Sequence, residues 1–174
     1  MAYVDVLLFT GLGSYSHNLQ AFTEDPTYET RSRTSGTYRI ATYLRDEFDL
    51  NVEVIDFMFS WKYEELKEIV DSRVGPNTRL VGVGGIFFLA APIIIRIFQY
   101  IKDTYPHVTT SAGSQDLWSL IKIPNIDYYC VGYGELGMKA IIEGNPEVKQ
   151  WQMFGQGPKF PVVDCWENPK YHAY

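Results

Sequence analysis

Five short apolar runs alternate with segments of helical periodicity along the chain. The runs predicted as strands are residues 4–10, 52–55, 80–83, 108–111 and 128–131. One predicted helix begins at Ser35. The other four cover residues 63–70, 93–105, 115–121 and 135–142. Continuous apolar runs are typical of strands buried on both faces, and alternation with helices implies right-handed crossovers. We therefore predict an α/β fold, a Rossmann-like or flavodoxin-like doubly wound sheet of five parallel strands in the order 2-1-3-4-5.

The length indicates one domain followed by a shorter segment. A chain of 174 residues is too short for two full domains. We expect the α/β domain to cover residues 1–144, with residues 145–174 as an arm or linker. This last segment is too rich in aromatic residues for a solvated terminus, so we expect it to pack on the sheet or on a partner. Its larger aromatic residues are Trp151, Phe154, Phe160, Trp166, Tyr171 and Tyr174.

Composition narrows the class of protein. The formal net charge of -6 gives no support to nucleic-acid binding, which needs clustered Lys and Arg. The longest apolar run, residues 86–95, is too short to span a bilayer, and the N-terminus lacks the basic region of a signal peptide. Cys130 and Cys165 form no Cys-x-x-Cys pattern, so we predict unpaired thiols and no metal site. We expect a soluble, cytoplasmic protein.

Glycine-rich turns follow four of the five predicted strands. The sequences TGLG, GGIFF, SAGSQ and VGYGE all lie at the carboxyl edge of the sheet, where ligands bind in such folds. Glycine permits positive φ and close approach of a ligand, and the helix N-termini that follow offer free N–H groups. Tight turns alone would explain each glycine, but four at one edge predict a ligand crevice. The candidate binding residues are Gly11, Gly13, Gly84, Gly85, Phe87, Ala112, Gly113, Ser114, Gln115, Gly132, Tyr133, Gly134 and Glu135.

Other crevice chemistries fit less well. Gly11 and Gly13 begin a dinucleotide pattern, but its third position is Ser16, and Asp56 lies much farther on than the usual spacing of about 20 residues. A flavin or nucleotide would need a phosphate-cradling first loop that leads into a helix, whereas residues 14–34 read as a long irregular connection. The sequence contains no Gly-x-Ser-x-Gly nucleophile turn. A Glu at the first turn of a helix, as at position 135, is more often a dipole partner than an acid or base. We predict no catalytic residue.

Four segments together resemble one family. The segments are SGTYRIATYLRDEFDLNVEVID, VGVGGIFFLAAPIIIRIFQYIKDTYP, TTSAGSQ and YYCVGYGELGMKAIIEG. In this combination they are similar to the N-terminal cobalamin-binding-type domain of radical S-adenosylmethionine enzymes. The residues that match its motifs are Gly36, Tyr38, Arg39, Ala41, Leu44, Arg45, Asp56, Ala112, Gly113, Val131, Gly132, Gly134 and Glu135.

The resemblance implies a corrinoid cofactor. In this family the domain holds cobalamin against a barrel for methyl transfer or a related radical step. The strand-end turns would then position the corrinoid and its nucleotide tail, with polar contacts from Glu135 and the Gly134 amide. The Asp-x-His-x-x-Gly pattern that ligates cobalt in classical domains is not met around His17. We therefore expect no cobalt ligand from this chain.

The resemblance also implies a second domain or partner. A four-iron cluster that binds S-adenosylmethionine needs the pattern Cys-x-x-x-Cys-x-x-Cys, which this sequence lacks. We expect a fragment or split half, catalytically silent alone, whose barrel is supplied in cis or in trans through the C-terminal arm. The alternative is a degenerate domain without corrinoid that acts as a protein-interaction module. Phe87 and Phe88 could line the crevice or fill it, and filling would favour that alternative.

Overall fold

The computed structural model describes residues 3–11, 35–84, 92–114, 124–151 and 159–165, apart from the side chain of Ser114. These residues form seven strands, four α-helices and one short 3-10 turn, Met58–Ser60. In chain order the strands and helices are β1 (Val6–Thr10), α1 (Ser35–Phe48), β2 (Val52–Ile55), α2 (Tyr63–Arg73), β3 (Leu80–Gly84), α3 (Pro92–Thr104), β4 (Thr109–Ser114), β5 (Tyr128–Gly132), α4 (Glu135–Ile142), β6 (Val148–Trp151) and β7 (Phe160–Cys165). The predicted helix 115–121 lies outside the described residues.

All seven strands belong to one sheet, which confirms the α/β class. The order is β2-β1-β3-β4-β5-β7-β6, so the predicted count and order are corrected, although the five predicted strands keep their relative positions. Strand β7 pairs in parallel with β5, and β6 pairs antiparallel with β7. Both additional strands fall within residues 145–174, the segment predicted as an arm or linker.

The proline in β7 explains why this strand was not predicted from the sequence. Proline cannot donate to a ladder, so it argues against an internal strand. The parallel pairing of β7 with β5 starts at Val162, and Pro161 is opposite Gln150 of β6 instead. The rings of Phe160 and Tyr129 meet edge to face at 5.0 Å, which anchors the start of β7 in the core.

Helices cover both faces of the sheet. Alternate residues of β1 point to opposite faces, with Leu7 and Phe9 on the side of α2 and α3, and Val6 and Leu8 on the side of α1 and α4. All four of these side chains are buried. A parallel sheet needs this double cover, because its strands are apolar on both sides. Helices α1 and α4 therefore share one face, and their N-termini lie at the carboxyl edge of the sheet.

Candidate functional site at the carboxyl edge of the sheet

The strand order reverses between β1 and β3. Strand β2 lies on one side of β1 and β3 on the other, and open α/β sheets bind ligands outside the carboxyl ends of the strands at such a point. At this edge one backbone hydrogen bond joins the residue after β1 to the end of β3. The Gly11 amide donates it to the Gly84 carbonyl at 3.1 Å. The ends of β1 and β3 are thus fixed relative to each other.

Two of the predicted glycines lie side by side in this edge. Gly84 of β3 is in register with Thr10 of β1 and with Gly113 of β4. The row therefore has two neighbouring positions without side chains on central strands. Such a strip leaves the sheet backbone without side chains on the one face to which these two residues point.

The two glycines have different packing environments. A Cβ on Gly84 would lie 2.7 Å from Oγ1 of Thr37, at the first turn of α1, so close helix packing explains that glycine. Among the described residues, a Cβ on Gly113 would meet only the carbonyl oxygen and Cβ of Cys130, at 3.6 and 3.8 Å, which are ordinary contacts. Gly113 also lies outside the set of glycines with positive φ. Neither described packing nor backbone conformation requires glycine at position 113.

A polar network joins the mouth of the site to α1. The hydroxyl of Tyr38 donates to Oδ2 of Asp56 at 2.5 Å, and the hydroxyl of Thr10 donates to Oδ1 at 3.1 Å. Thr10 Oγ1 in turn accepts from the amide of Phe57 at 3.0 Å. Thr10 is fully buried. Asp56 therefore links the ends of β1 and β2 to the start of α1, which is a positioning role.

The turn after β5 is shaped by its glycines. Gly132 has φ 111° and Gly134 has φ 84°, in the region that favours glycine. Gly134 caps α4, and a Cβ on it would also lie 2.7 Å from Ile40 of α1. Between them the amide of Tyr133 donates to the carbonyl of Cys165 at 2.9 Å. Backbone conformation and packing therefore account for both glycines without a ligand.

Glu135, the first residue of α4, is buried against α1. Its side chain is 1% exposed, and its Oε1 lies 2.8 Å from Nη2 of Arg39, whose side chain is 24% exposed. The guanidinium also lies 5.8 Å from the ring centroid of Tyr133. Arg39 and Glu135 come from two of the four segments that carry the family resemblance, 96 positions apart. Residue types alone could not show that they meet, because the contact depends on α1 and α4 packing side by side.

This ion pair leaves polar atoms without partners. Within the described part of the chain, Nε and Nη2 of Arg39 and Oε2 of Glu135 are buried and make no hydrogen bond. The contact between Nη2 and Oε1 pairs the charges but lacks hydrogen-bond geometry. Buried polar groups in native proteins nearly always have partners, so three orphaned atoms in one place need an explanation.

The two cysteines lie next to this turn. Both are free, as predicted, and both are buried. A hydrogen bond to Cys165, together with burial, raises the pKa of the Cys130 thiol. The same hydrogen bond, aided by the backbone N–H groups of Gly134 and Gly137, lowers the pKa of Cys165. The Sγ atom of Cys165 also donates to the carbonyl oxygen of Val163 at 3.4 Å.

The remaining predicted site residues are placed as follows. Ala112 is buried in the core beneath the edge. Ser114 ends β4, and its side chain is outside the described residues. Gly13, Gly85, Phe87 and Gln115 also lie outside them. Sequence reasoning did not select Thr10, Thr37 or Cys165 for the site.

The described residues contain neither a membrane-spanning helix nor a group of metal-ligating side chains. None of the described helices is long and apolar enough to cross a membrane. In the same ranges, no three His, Cys, Asp or Glu side chains are grouped so that they could hold a metal ion. No family model, curated protein or solved structure matches the chain.

Proposed function

We propose that the chain is a cytoplasmic, Rossmann-like accessory domain that binds a corrinoid at the carboxyl edge of its sheet, as part of a radical S-adenosylmethionine enzyme. The observation that carries the proposal is Gly113. It is a glycine beside the strand-order reversal for which the described packing and backbone give no reason. A flat ligand seated against the backbone at this edge would supply one, because a side chain there would occupy its place.

The residues at the edge fit a ligand that lies across the strand ends. Gly113 would form its floor, with Gly84 in register beside it under Thr37 of α1, and the turn from Gly132 to Glu135 would flank it. The space between the sheet and α4 is filled, since a Cβ on Gly82 would already meet Ser111, Leu8 and Met138 at 2.8 to 3.3 Å. A nucleotide tail would therefore stay outside the layer between β3 and α4.

In this proposal the domain binds the corrinoid, and the iron–sulfur cluster belongs to a different domain or chain. A bound corrinoid supplies a carrier for methyl transfer or a related radical step. The residues of this domain would bind and orient it, and none is assigned a proton transfer. The four-iron cluster and S-adenosylmethionine would belong to a barrel in cis or in trans, because the sequence lacks the three-cysteine pattern.

The proposal is tested by titrating the purified protein with hydroxocobalamin and recording the visible spectrum after desalting. We expect one corrinoid per chain, and loss of binding in Gly113→Trp, where the indole would cover the edge. Gln150→Trp places the same ring on an exposed residue of β6 and should bind as the wild type does. Absence of retained corrinoid in the wild type, or equal binding in both variants, would refute the proposal.

A second function, protein interaction without a corrinoid, is favoured by the exposure of β6. This strand ends the described sheet, and Lys149, Gln150 and Trp151 are exposed on it. An edge strand offers unpaired backbone groups to another chain. Light scattering of the wild type and of Gln150→Pro would test this. A mass above one chain that falls in the variant would support interaction through β6, and a single-chain mass in both would exclude self-association through it.

A further inference from the structure

The Arg39–Glu135 pair has two hydrogen-bond donors and one acceptor without partners among the described residues. Glu135 is 1% exposed, and its Oε2 has no partner among the described residues. Nε and Nη2 of Arg39 are unpartnered in the same way. A carboxylate at the first position of α4 would be stabilised by the helix dipole even at the surface, so the dipole alone does not explain the burial. A buried pair is costly unless its remaining atoms are also satisfied.

The charge of the pair selects the kind of group that could complete it. The guanidinium and the carboxylate already neutralise each other at 2.8 Å. A charged ligand group would leave one net charge in a buried place, which costs far more than burying a neutral hydrogen-bonded group. The group must accept from Arg39 and donate to Glu135. A primary carboxamide does both, through its C=O and its NH₂.

We propose that the Arg39–Glu135 pair binds a neutral primary carboxamide group of the ligand. The carboxamide nitrogen donates to Oε2 of Glu135, and its oxygen accepts from the free N–H groups of Arg39. The pair adjoins the Gly134 turn at the carboxyl edge, where the Arg39 side chain is 24% exposed although its Nε and Nη2 atoms are buried. Arg39 thereby becomes a recognition residue, a role that its motif match alone did not assign.

This inference deepens the proposed function and partly rests on it, because a corrinoid ring carries primary carboxamides on its rim. It can nevertheless be tested without a corrinoid. Benzamide, benzoate and benzamidinium have similar shapes and differ in the charge of one group. Ligand-observed NMR titrations of the full chain with the three probes should rank benzamide first, by about tenfold over either charged probe. An equal or reversed ranking overturns the inference, and the pair is then only structural.

Glu135→Gln sharpens the test because it keeps the shape and removes the negative charge. Arg39 is then unpaired, so benzoate should become the preferred probe, with the benzamide-to-benzoate ratio falling at least tenfold. Glu143→Gln is the matched control at the C-cap of the same helix, where an exposed pair with Lys139 spans 3.8 Å. It should leave the ranking unchanged. If Glu135→Gln fails to fold, as judged by its circular dichroism, the wild-type ranking still decides.

The outcomes separate the two proposals. Benzamide preference together with displacement of benzamide by hydroxocobalamin supports both. Benzamide preference without any corrinoid binding keeps this inference and refutes the corrinoid function. Corrinoid binding without benzamide preference keeps the corrinoid function and refutes this inference.

Discussion

A Cβ atom on Gly137 of α4 would overlap the Sγ atom of Cys165 in β7. The same Cβ would lie 3.5 Å from the Sγ atom of Cys130 in β5. Helix α4 therefore lies as close to these two strands as a residue without a side chain allows. This approach sets the height of the α4 N-terminus above the sheet, and with it the position of Glu135 against Arg39.

Gly137→Ala should destabilise the protein. Alanine in a helix interior normally gains about 0.5–1 kcal/mol over glycine, but overpacking a core costs about 1–3 kcal/mol. We expect a net loss of about 1–2 kcal/mol in the free energy of unfolding, measured by urea denaturation. Gly36→Ala, in the first turn of α1 where no described residue lies within 4 Å of the added Cβ, should be neutral or stabilising.

The cause of that loss is open to a direct check. Cys165→Ala removes the Sγ atom that the new methyl group would meet, so the second substitution should recover much of the loss relative to Cys165→Ala alone. If Gly137→Ala proves as stable as Gly36→Ala, the close approach of α4 to β7 is wrong.

The two glycines in register at the sheet edge should respond differently to alanine. Gly84→Ala places its methyl group against Thr37 and should lower the free energy of unfolding by about 1–3 kcal/mol. Gly113→Ala meets only ordinary contacts among the described residues and should be neutral or slightly stabilising. Hydroxocobalamin affinity should fall in Gly113→Ala despite its stability. Equal destabilisation by both substitutions would show that packing alone retains Gly113.

The core of the fold could be predicted because its signals are local. Residues 52–55 and 135–142 match β2 and α4, since an apolar run or an amphipathic stretch there is bounded by Asp or Gly. Strand β6 gave no such signal, because three of its four residues are exposed. Strand β7 contains Pro161, which argues against a strand in the sequence. That Pro161 lies opposite Gln150 of β6 is known only from the tertiary structure.

The candidate site was predictable only in outline. The glycines of the VGYGE turn were predicted as positions where the backbone turns through positive φ or a ligand approaches closely, and the φ values of 111° and 84° show the positive φ. The partner of Glu135 could not be read from the sequence, because Arg39 reaches it only when two helices separated by four strands in the chain pack together. Periodicity assigns a residue to a face and does not identify its neighbour.

Tyr38→Phe tests the polar network at the mouth of the site. The substitution removes the hydroxyl that donates to Asp56 at 2.5 Å, and a hydrogen bond to a charged group contributes about 1.5–3 kcal/mol. Thr10 still donates to Asp56, so we expect a loss at the lower end, about 1–2 kcal/mol, in urea denaturation. Tyr3→Phe, at an exposed tyrosine, is the control and should change little. A loss no larger than that of the control would contradict the network.

Alkaline pH should weaken the contact between α2 and α3 through Tyr105. Burial, followed by a hydrogen bond to Asp71, raises the pKa of Tyr105 from 10.0 to about 12. Tyr100 donates to the same Asp71 oxygen, and burial raises its pKa as well. Because the folded state holds these protons more tightly, their contribution is complete below pH 10 and is lost as the pH rises towards about 12. Urea midpoints measured from pH 9 upwards should therefore fall less steeply in Tyr105→Phe than in the wild type, and parallel curves would disprove the shift.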